Sequence, residues 1–105
     1  MPSGVELIAA ERERQVAVEG WTPEHDDAHG DRALAKAAGV YAMPFNGSWK
    51  ETLWPFPEPF KHAERTVAGR IRELSKAGAL VAAEIDRLQR AEDRKATTLE
   101  GDQDA

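Results

Sequence analysis

Residues 67–88 contain the pattern that most restricts the fold of this chain. Six aliphatic residues and one glycine recur there at alternating spacings of four and three over three heptads: Val67, Ile71, Leu74, Gly78, Val81, Ile85 and Leu88. This spacing places an apolar line on one face of an α-helix, whereas a strand would need a period of two. The pattern predicts a long helix whose apolar line, which we call the seam, packs against another helix.

Gly78 lies in the middle of the seam, and alanines flank it on both sides. Glycine inside a helix costs about 1 kcal/mol relative to alanine, so the close approach of a neighbouring helix is the best reason for its presence. Two neighbours fit this geometry equally well. Either a second copy of the chain crosses at Gly78, or the second helix of the same chain packs there.

The composition predicts one small domain with a thin core. The chain has 105 residues, of which 41% are hydrophobic and 31% charged, and such values are typical of globular chains. With only three Trp, three Phe and one Tyr, the buried area must come mainly from Ala, Leu, Ile and Val. Small helical domains of this kind often complete their burial by self-association, so we expect a homo-oligomer.

Cysteine content, hydropathy and charge exclude several classes of function. The absence of cysteine excludes disulfides and thiolate metal sites. The sequence shows neither a signal-peptide pattern nor an apolar run near the roughly 20 residues that span a bilayer. Of the net charge of −5, the acidic residues Glu100, Asp102 and Asp104 contribute −3, leaving −2 for residues 1–99. We therefore expect a soluble protein of a reducing compartment that binds neither membranes nor duplex nucleic acid.

A capping box predicts the first helix. Ser3 is followed three residues later by Glu6, and Gly20 is well placed to end the helix. Glu11 and Arg14 occupy turns where a helix that only packs would carry Leu or Ala. Either their long stems cover the edges of the core while their heads reach water, or they point into a polar pocket between helices.

Residues 22–24, Thr-Pro-Glu, predict the start of a second helix, because they supply an N-cap, a proline and an acid in the first turn. Gly30 interrupts this helix, and Asp31 can cap a restart that continues to Ala42. Residues 95–105 have no apolar period and are expected to form a disordered acidic tail. The expected fold is therefore all-α, with a single three-helix domain over residues 1–94.

A long segment rich in prolines and aromatics, residues 43–62, connects the second and third expected helices. It holds four prolines and five aromatics: Pro44, Pro55, Pro57, Pro59, Phe45, Trp49, Trp54, Phe56 and Phe60. The prolines prevent a helix through its middle, and long loops inside small domains usually pack as a lid or a binding loop. Its rings either close the end of the helical core, or present Trp49 or Trp54 to a planar ligand or another protein.

The densest group of polar side chains lies in residues 19–29. His25 and His29 are spaced i, i+4, so a helical face could direct both rings, together with Asp26, to a divalent metal. No obvious third ligand is positioned downstream, and Gly30 follows at once. Alternatively, Glu24 and Asp26 stabilise the helix N-terminus while the histidines bond to the backbone or to polar groups of the core. We expect no cofactor, and a metal here is the weaker interpretation.

Several motifs of the chain resemble a family of short, mostly uncharacterised helical proteins encoded by phages and prophages. They cover residues 6–15 (ELIAAERxRQ), 19–29 (EGWTPEHDD with His29), 34–42 (LAxAA with Tyr41 and Ala42) and 72–88 (RxLxKAGALxAAEIDRL). The resemblance implies an accessory protein that acts in the cytoplasm of the host bacterium. By analogy with small phage proteins that oppose immunity, it would bind either a nucleotide immune signal or a defence protein.

The leading functional prediction is a protein that sequesters a nucleotide-derived immune signalling molecule without cleaving it. Arg12, Arg14, Arg70, Arg72 and Lys76 offer phosphate partners, and Trp21 and Tyr41 offer stacking faces. The expected ligand shell is Glu11, Arg14, Trp21, His25, Asp26, His29, Tyr41 and Lys76, with no catalytic residue. The centre of the seam, Ile71, Leu74, Gly78, Val81 and Ile85, would form the oligomer contact.

Two alternatives remain open. The chain could inhibit a host defence protein by binding it through the aromatic segment. It could also be a metal-dependent, all-α nucleotide pyrophosphohydrolase, but the paired glutamates of that class are missing. Glu11 with Glu13, and Glu84 with Asp86, stand two residues apart, which places the members of each pair on different helical faces.

Overall fold

The computed structural model of the chain is all-α, which confirms the predicted fold class. It describes residues 1–29, 32–43 and 48–104, with side chains at 1–29, 32–43 and 49–97. The described residues form five helices and no strand: α1 (Gly4–Ala17), α2 (Pro23–Ala28), α3 (Ala33–Ala42), α4 (Ser48–Leu53) and α5 (Val67–Asp104). The expected count of three helices is therefore too low, since the second splits into α2 and α3 and the aromatic segment contains α4.

The predicted caps form at the start of α1 and α2. The Ser3 hydroxyl accepts a hydrogen bond from the Glu6 amide at 3.2 Å, and the Glu6 carboxylate accepts one from the Ser3 amide at 3.0 Å. The Thr22 hydroxyl likewise accepts from the His25 amide at 3.3 Å. Between the two helices Gly20 has φ of +74°, a left-handed conformation that glycine adopts without strain. The chain can therefore reverse sharply after α1.

The break between α2 and α3 falls where the sequence predicts it. Helix α2 ends at Ala28, and α3 begins at Ala33 after Arg32, which has φ of +63°. Gly30 and Asp31, the residues expected to break and restart the helix, lie outside the described residues. Because of this break, α2 and α3 are separate elements that both pack on α5.

The core lies between α3 and α5 and is closed by the aromatic segment. Its buried residues are Leu34, Ala37, Ala38, Val40, Tyr41, Phe60, Ala77, Leu80 and Ala83. Trp54 meets the Tyr41 ring edge-on at 5.3 Å between centroids, and Phe60 lies 5.1 Å from Trp54. Trp21 and Phe56 pack against the outside of this group. Pro44 and Phe45, also part of the expected loop, lie outside the described residues.

The face of α5 that enters the core is not the seam. Ala77, Leu80 and Ala83 are buried, whereas the aliphatic seam residues are between 43% and 78% exposed. Gly78 lines a groove between α3 and α5, but the side chain nearest to it comes from neither of the two expected neighbours. A Cβ built at Gly78 would lie 2.5 Å from Ile8 Cδ1, so the helix that approaches this glycine is α1. The physical reason given for Gly78 holds, but the neighbour differs.

Gly69, in the first turn of α5, is the glycine that the fold tolerates least in substitution. A Cβ at this position would collide with the backbone carbonyl of Glu64, and a backbone atom cannot rotate away. We expect Gly69→Ala to lower the free energy of unfolding by about 2 kcal/mol, measured by urea denaturation. Gly78→Ala is the comparison, because its Cβ would meet side-chain atoms of Ile8, which can move, and no backbone atom is among its nearest contacts. Equal losses for the two variants would contradict this explanation.

Helix α5 is the longest element and continues to Asp104, so residues 95–104 belong to a helix where the sequence predicts an irregular tail. The N-terminal part of α5 packs on α1 and α3, and its middle packs on α2 through Arg90 and Arg94, which pair with Asp27. No described helix is both long and apolar enough to cross a membrane.

Candidate functional site

A cavity of about 720 Å³ lies between α1, α5 and the segment that precedes α5. Its walls carry Leu7 and Ala10 from α1 and Ala63, Ala68 and Ile71 from the other side. Its polar lining comprises ten side chains: Glu11, Arg14, Tyr41, Lys61, His62, Glu64, Arg72, Glu73, Ser75 and Lys76. The volume is that of a typical small-molecule site, and an apolar wall with a few convergent charged groups is the usual construction of such sites.

Four of the eight predicted ligand-shell residues line this cavity, namely Glu11, Arg14, Tyr41 and Lys76. Glu11 is buried, and its carboxylate accepts two hydrogen bonds from Arg14, at 2.7 and 2.9 Å. Arg14 also donates to Glu19 at 2.9 Å, and these hydrogen bonds, with that to Glu11 the larger, raise the pKa of its guanidinium. Arg14 is therefore already paired with two carboxylates of its own chain and is a poor phosphate ligand.

Lys76 is the cation best placed to receive an anion in the cavity. Its ammonium nitrogen lies 5.5 Å from the centroid of the Tyr41 ring. Burial, followed by the nearby charge of Arg72, lowers the pKa of Lys76 below its ordinary value. Both effects disfavour the charged ammonium, and an anion bound beside it would oppose them by stabilising that charge.

Lys61 and Arg72 add two more cations to the lining. Neither of them, nor Lys76, forms an ion pair with a carboxylate of the described residues. The other predicted phosphate partners are engaged elsewhere. Arg12 pairs with Asp26, and Arg70 donates to the carbonyls of Tyr41 and Ala42 at the end of α3. The cations available to a ligand are therefore Lys61, Arg72 and Lys76.

Tyr41 supplies a fixed aromatic wall. The side chain is 8% exposed, and burial raises the pKa of its phenol to about 12, so the hydroxyl remains protonated at neutral pH. Ring contacts with Trp54 and Phe60 hold it in place. The phenol of Tyr41 is thus a neutral group at the edge of the cavity, held by the aromatic segment.

A buried ion pair, Lys50 with Glu73, lies at the inner side of the cavity, and sequence reasoning missed it. Lys50 is 1% exposed; its ammonium donates to the Met43 carbonyl at 2.9 Å and lies 3.7 Å from Glu73 Oε2. That oxygen is buried and accepts no hydrogen bond. The burial of Glu73 could have been predicted from the sequence, because Glu73 stands four residues before Ala77 on the buried face of α5. The burial of Lys50 could not, because its six-residue helix is too short to show an apolar period.

The other four predicted residues form a separate cluster around α2. Asp26 is completely buried; its Oδ2 accepts from Arg12 at 2.5 Å, and its Oδ1 lies 3.1 Å from His25 Nδ1. The Nε2 atoms of His25 and His29 are 3.0 Å apart. Trp21 stacks on His25 with ring centroids 5.9 Å apart and planes within 6°. We call this group the Asp26 cluster.

The Asp26 cluster forms a continuous chain of hydrogen bonds. If His25 Nδ1 donates to Asp26, its Nε2 is left to accept the Nε2 proton of His29. Both carboxylate oxygens of Asp26 are then occupied, one by Arg12 and one by His25. Within the part of the chain that the structure describes, no three His, Asp or Glu side chains converge as they would around a metal ion. Among the described residues, the cluster therefore brings together two imidazole nitrogens and no third ligand.

The structure thus divides the predicted ligand shell into two groups on different sides of α1. Glu11 and Arg14 face the cavity, while Arg12 reaches Asp26 and the Trp21 carbonyl. Residues 11–14 lie within one turn, so consecutive side chains must point in different directions. The sequence analysis grouped all eight residues because the sequence does not show which part of the protein each face of α1 meets.

A comparison with family models, with curated proteins and with solved structures found no match to this chain. The resemblance to short phage-encoded proteins therefore remains a prediction from sequence motifs, and the geometry of the cavity is the basis for assigning a function.

Proposed function

We propose that this chain binds a phosphate-bearing, nucleotide-type ligand in the cavity between α1 and α5 and releases it unchanged. The observation that supports this is the combination of a cavity of about 720 Å³ with three cations that no described carboxylate neutralises. Lys76 and Arg72, four residues apart on α5, face the same opening and suit a phosphate group. The apolar side chains of Leu7 and Ala10 would contact the base or sugar.

Binding without cleavage is the better proposal because two of the three carboxylates of the cavity are paired with cations of the chain. Glu11 is held by Arg14, and Glu73 lies between Lys50 and Arg70, whereas Glu64 is exposed. A carboxylate that is already paired with a cation is less available to a metal ion. This argues against the alternative of a metal-dependent pyrophosphohydrolase, whose acids must be free to hold metal ions.

The biological role that we propose follows from the resemblance to phage proteins. The chain would act in the cytoplasm of the host bacterium as an anti-defence protein that sequesters a nucleotide-derived immune signal. The alternative, inhibition of a defence protein through the aromatic segment, has less support, because Trp54 and Phe60 pack into the core. Replacing either ring would disturb the fold before it disturbed a partner.

The direct test is calorimetry against cyclic and linear nucleotides, including ADP-ribose derivatives. We expect Lys76→Met to raise the dissociation constant of the ligand at least 10-fold, because a charged hydrogen bond to phosphate contributes about 1.5–3 kcal/mol. The matched control is Lys36→Met, a change of the same kind at an exposed position on α3. If no nucleotide of the panel binds, or if both variants bind equally well, the proposal is wrong.

The pH dependence of binding gives a second readout of the same site. The pKa of Lys76 lies below the ordinary value of lysine, so Lys76 loses its charge at a lower pH. As the pH is raised, the affinity for phosphate should therefore fall earlier than it would with a lysine of ordinary pKa. Lys76→Arg should keep its affinity through this alkaline range, since guanidinium stays charged. Chromatography of the ligand recovered after denaturation checks the other half of the proposal; recovery of a cleaved product would show that the chain is an enzyme.

A further inference from the structure

The seam of α5 is uncovered in the single chain, although it is the most regular apolar pattern of the sequence. Five of its side chains are about half exposed: Ile71 at 43%, Leu74 at 45%, Val81 at 47%, Ile85 at 51% and Leu88 at 53%. They follow one line along the helix, on the face opposite the buried Leu80 and Ala83. A continuous apolar stripe of this kind on a soluble domain marks an interaction surface.

An apolar groove of about 410 Å³ lies beside the seam, between α3 and α5. Small residues of α3, including Ala35, Gly39 and Ala42, form one wall, and Val81 and Ile85 of the seam form the other. Because these α3 side chains are small, a helix of another molecule can approach closely, and its larger side chains can fill the groove.

We propose that the seam binds a second copy of this chain, with each seam packed against the other. A partner for a seam with alternating spacings of four and three needs the same spacing, and the chain carries that pattern once, on this face. A two-fold axis through the centre of the seam then relates the two copies. Such a self-complementary contact closes as a dimer and leaves no free seam.

The available apolar area suits a dimer. The exposed parts of the aliphatic seam side chains amount to roughly 600 Å² per copy, close to the ~800 Å² per partner of a standard interface. Ile8 of α1, which lies against Gly78, and the 77% exposed Val5 one turn before it extend this surface. Ile8 already occupies the space beside Gly78, so the second copy would contact mainly Leu74, Val81 and Ile85.

Arg72 lies outside this contact, since it lines the cavity between α1 and α5. The proposal does not rest on ligand binding, because the contact is formed by the protein alone.

Sedimentation equilibrium of the protein without ligand tests this proposal. The expected mass is twice the 11.6 kDa of one chain. We expect Val81→Glu to raise the dimer dissociation constant at least 100-fold, since each dimer would bury two uncompensated carboxylates. Leu53→Glu, at a 52% exposed leucine of α4 outside the seam, is the matched control and should leave the dimer intact. Circular dichroism of both variants checks that they remain helical.

A wild-type chain that stays monomeric throughout the micromolar range, or a Val81→Glu variant that dimerises normally, would overturn the proposal.

Discussion

Replacing Asp26 by alanine is expected to lower the free energy of unfolding by about 3 kcal/mol, a large part of the stability of a small domain. Asp26 is completely buried, and its carboxylate is the shared partner of Arg12 and His25. Arg12 is only 17% exposed, so removing the carboxylate leaves a poorly hydrated guanidinium without its counter-ion. Urea denaturation followed by circular dichroism measures the loss.

The neighbouring Asp27→Ala is the control for this prediction. Asp27 stands on the same helix and also pairs with two arginines, Arg90 and Arg94, whose hydrogen bonds lower its pKa. Its side chain is 26% exposed, so water can replace the lost partners and the change should be much smaller. If the two alanine variants lose the same stability, the burial of Asp26 is not what makes its ion pair important.

The Asp26 cluster also explains why α2 keeps its place despite having only six residues. A helix this short is unstable alone, and its position depends on contacts with the rest of the protein. Asp26 ties it to Arg12 on α1, and Asp27 ties it to Arg90 and Arg94 on α5. We infer that the polar residues 24–29 mainly fasten this helix, while the ligand site lies on the other side of α1.

The second large effect is expected at Lys50. We expect Lys50→Met to lower the free energy of unfolding by about 3 kcal/mol, because it leaves the buried carboxylate of Glu73 without its closest ammonium group. Glu73 would then retain Arg70, whose guanidinium nitrogen lies 3.8 Å away and is engaged by α3 carbonyls. The Met43 carbonyl would also lose the shorter of its two hydrogen bonds and keep the one from Arg70, at 3.2 Å. Thermal or urea denaturation gives the difference.

The double variant Lys50→Met with Glu73→Met separates the ion pair from simple packing. Replacing both charged partners by apolar side chains of similar size removes the unpaired charge, so stability should return to within about 1 kcal/mol of the wild type. If Lys50 matters only through the volume it fills, the single methionine variant would already be nearly neutral. If the double variant is less stable than the single one, the two residues do not form the unit that we describe.

Several local features were predictable because they depend on neighbouring residues in the sequence. The Ser3 capping box, the Thr22 N-cap and the break between α2 and α3 need only short-range hydrogen bonds and backbone preferences. The long α5 was also predictable, since an apolar period over three heptads identifies a helix. The short α4 was missed because its six residues hold too few turns for a period and stand among prolines.

The candidate site was predictable only in part. Tyr41 and Lys76 were identified as a stacking face and a cation, and the structure places both on the cavity. Arg14 was identified for the same reason, yet its charge is used by Glu11 and Glu19. Residue type reveals which chemistry a side chain can perform, but the distance to its partners decides whether it is free to do so.

The sequence alone determined the helical class, the caps and the seam, because helix formation and periodicity are properties of local sequence. Only the tertiary structure decided which face of α5 is buried, because that depends on which helices meet. Alanines opposite the seam admit α3 closely, so Ala77, Leu80 and Ala83 enter the core. The seam, although more apolar, remains largely on the surface, since α1 and α3 pack beside it and do not cover it.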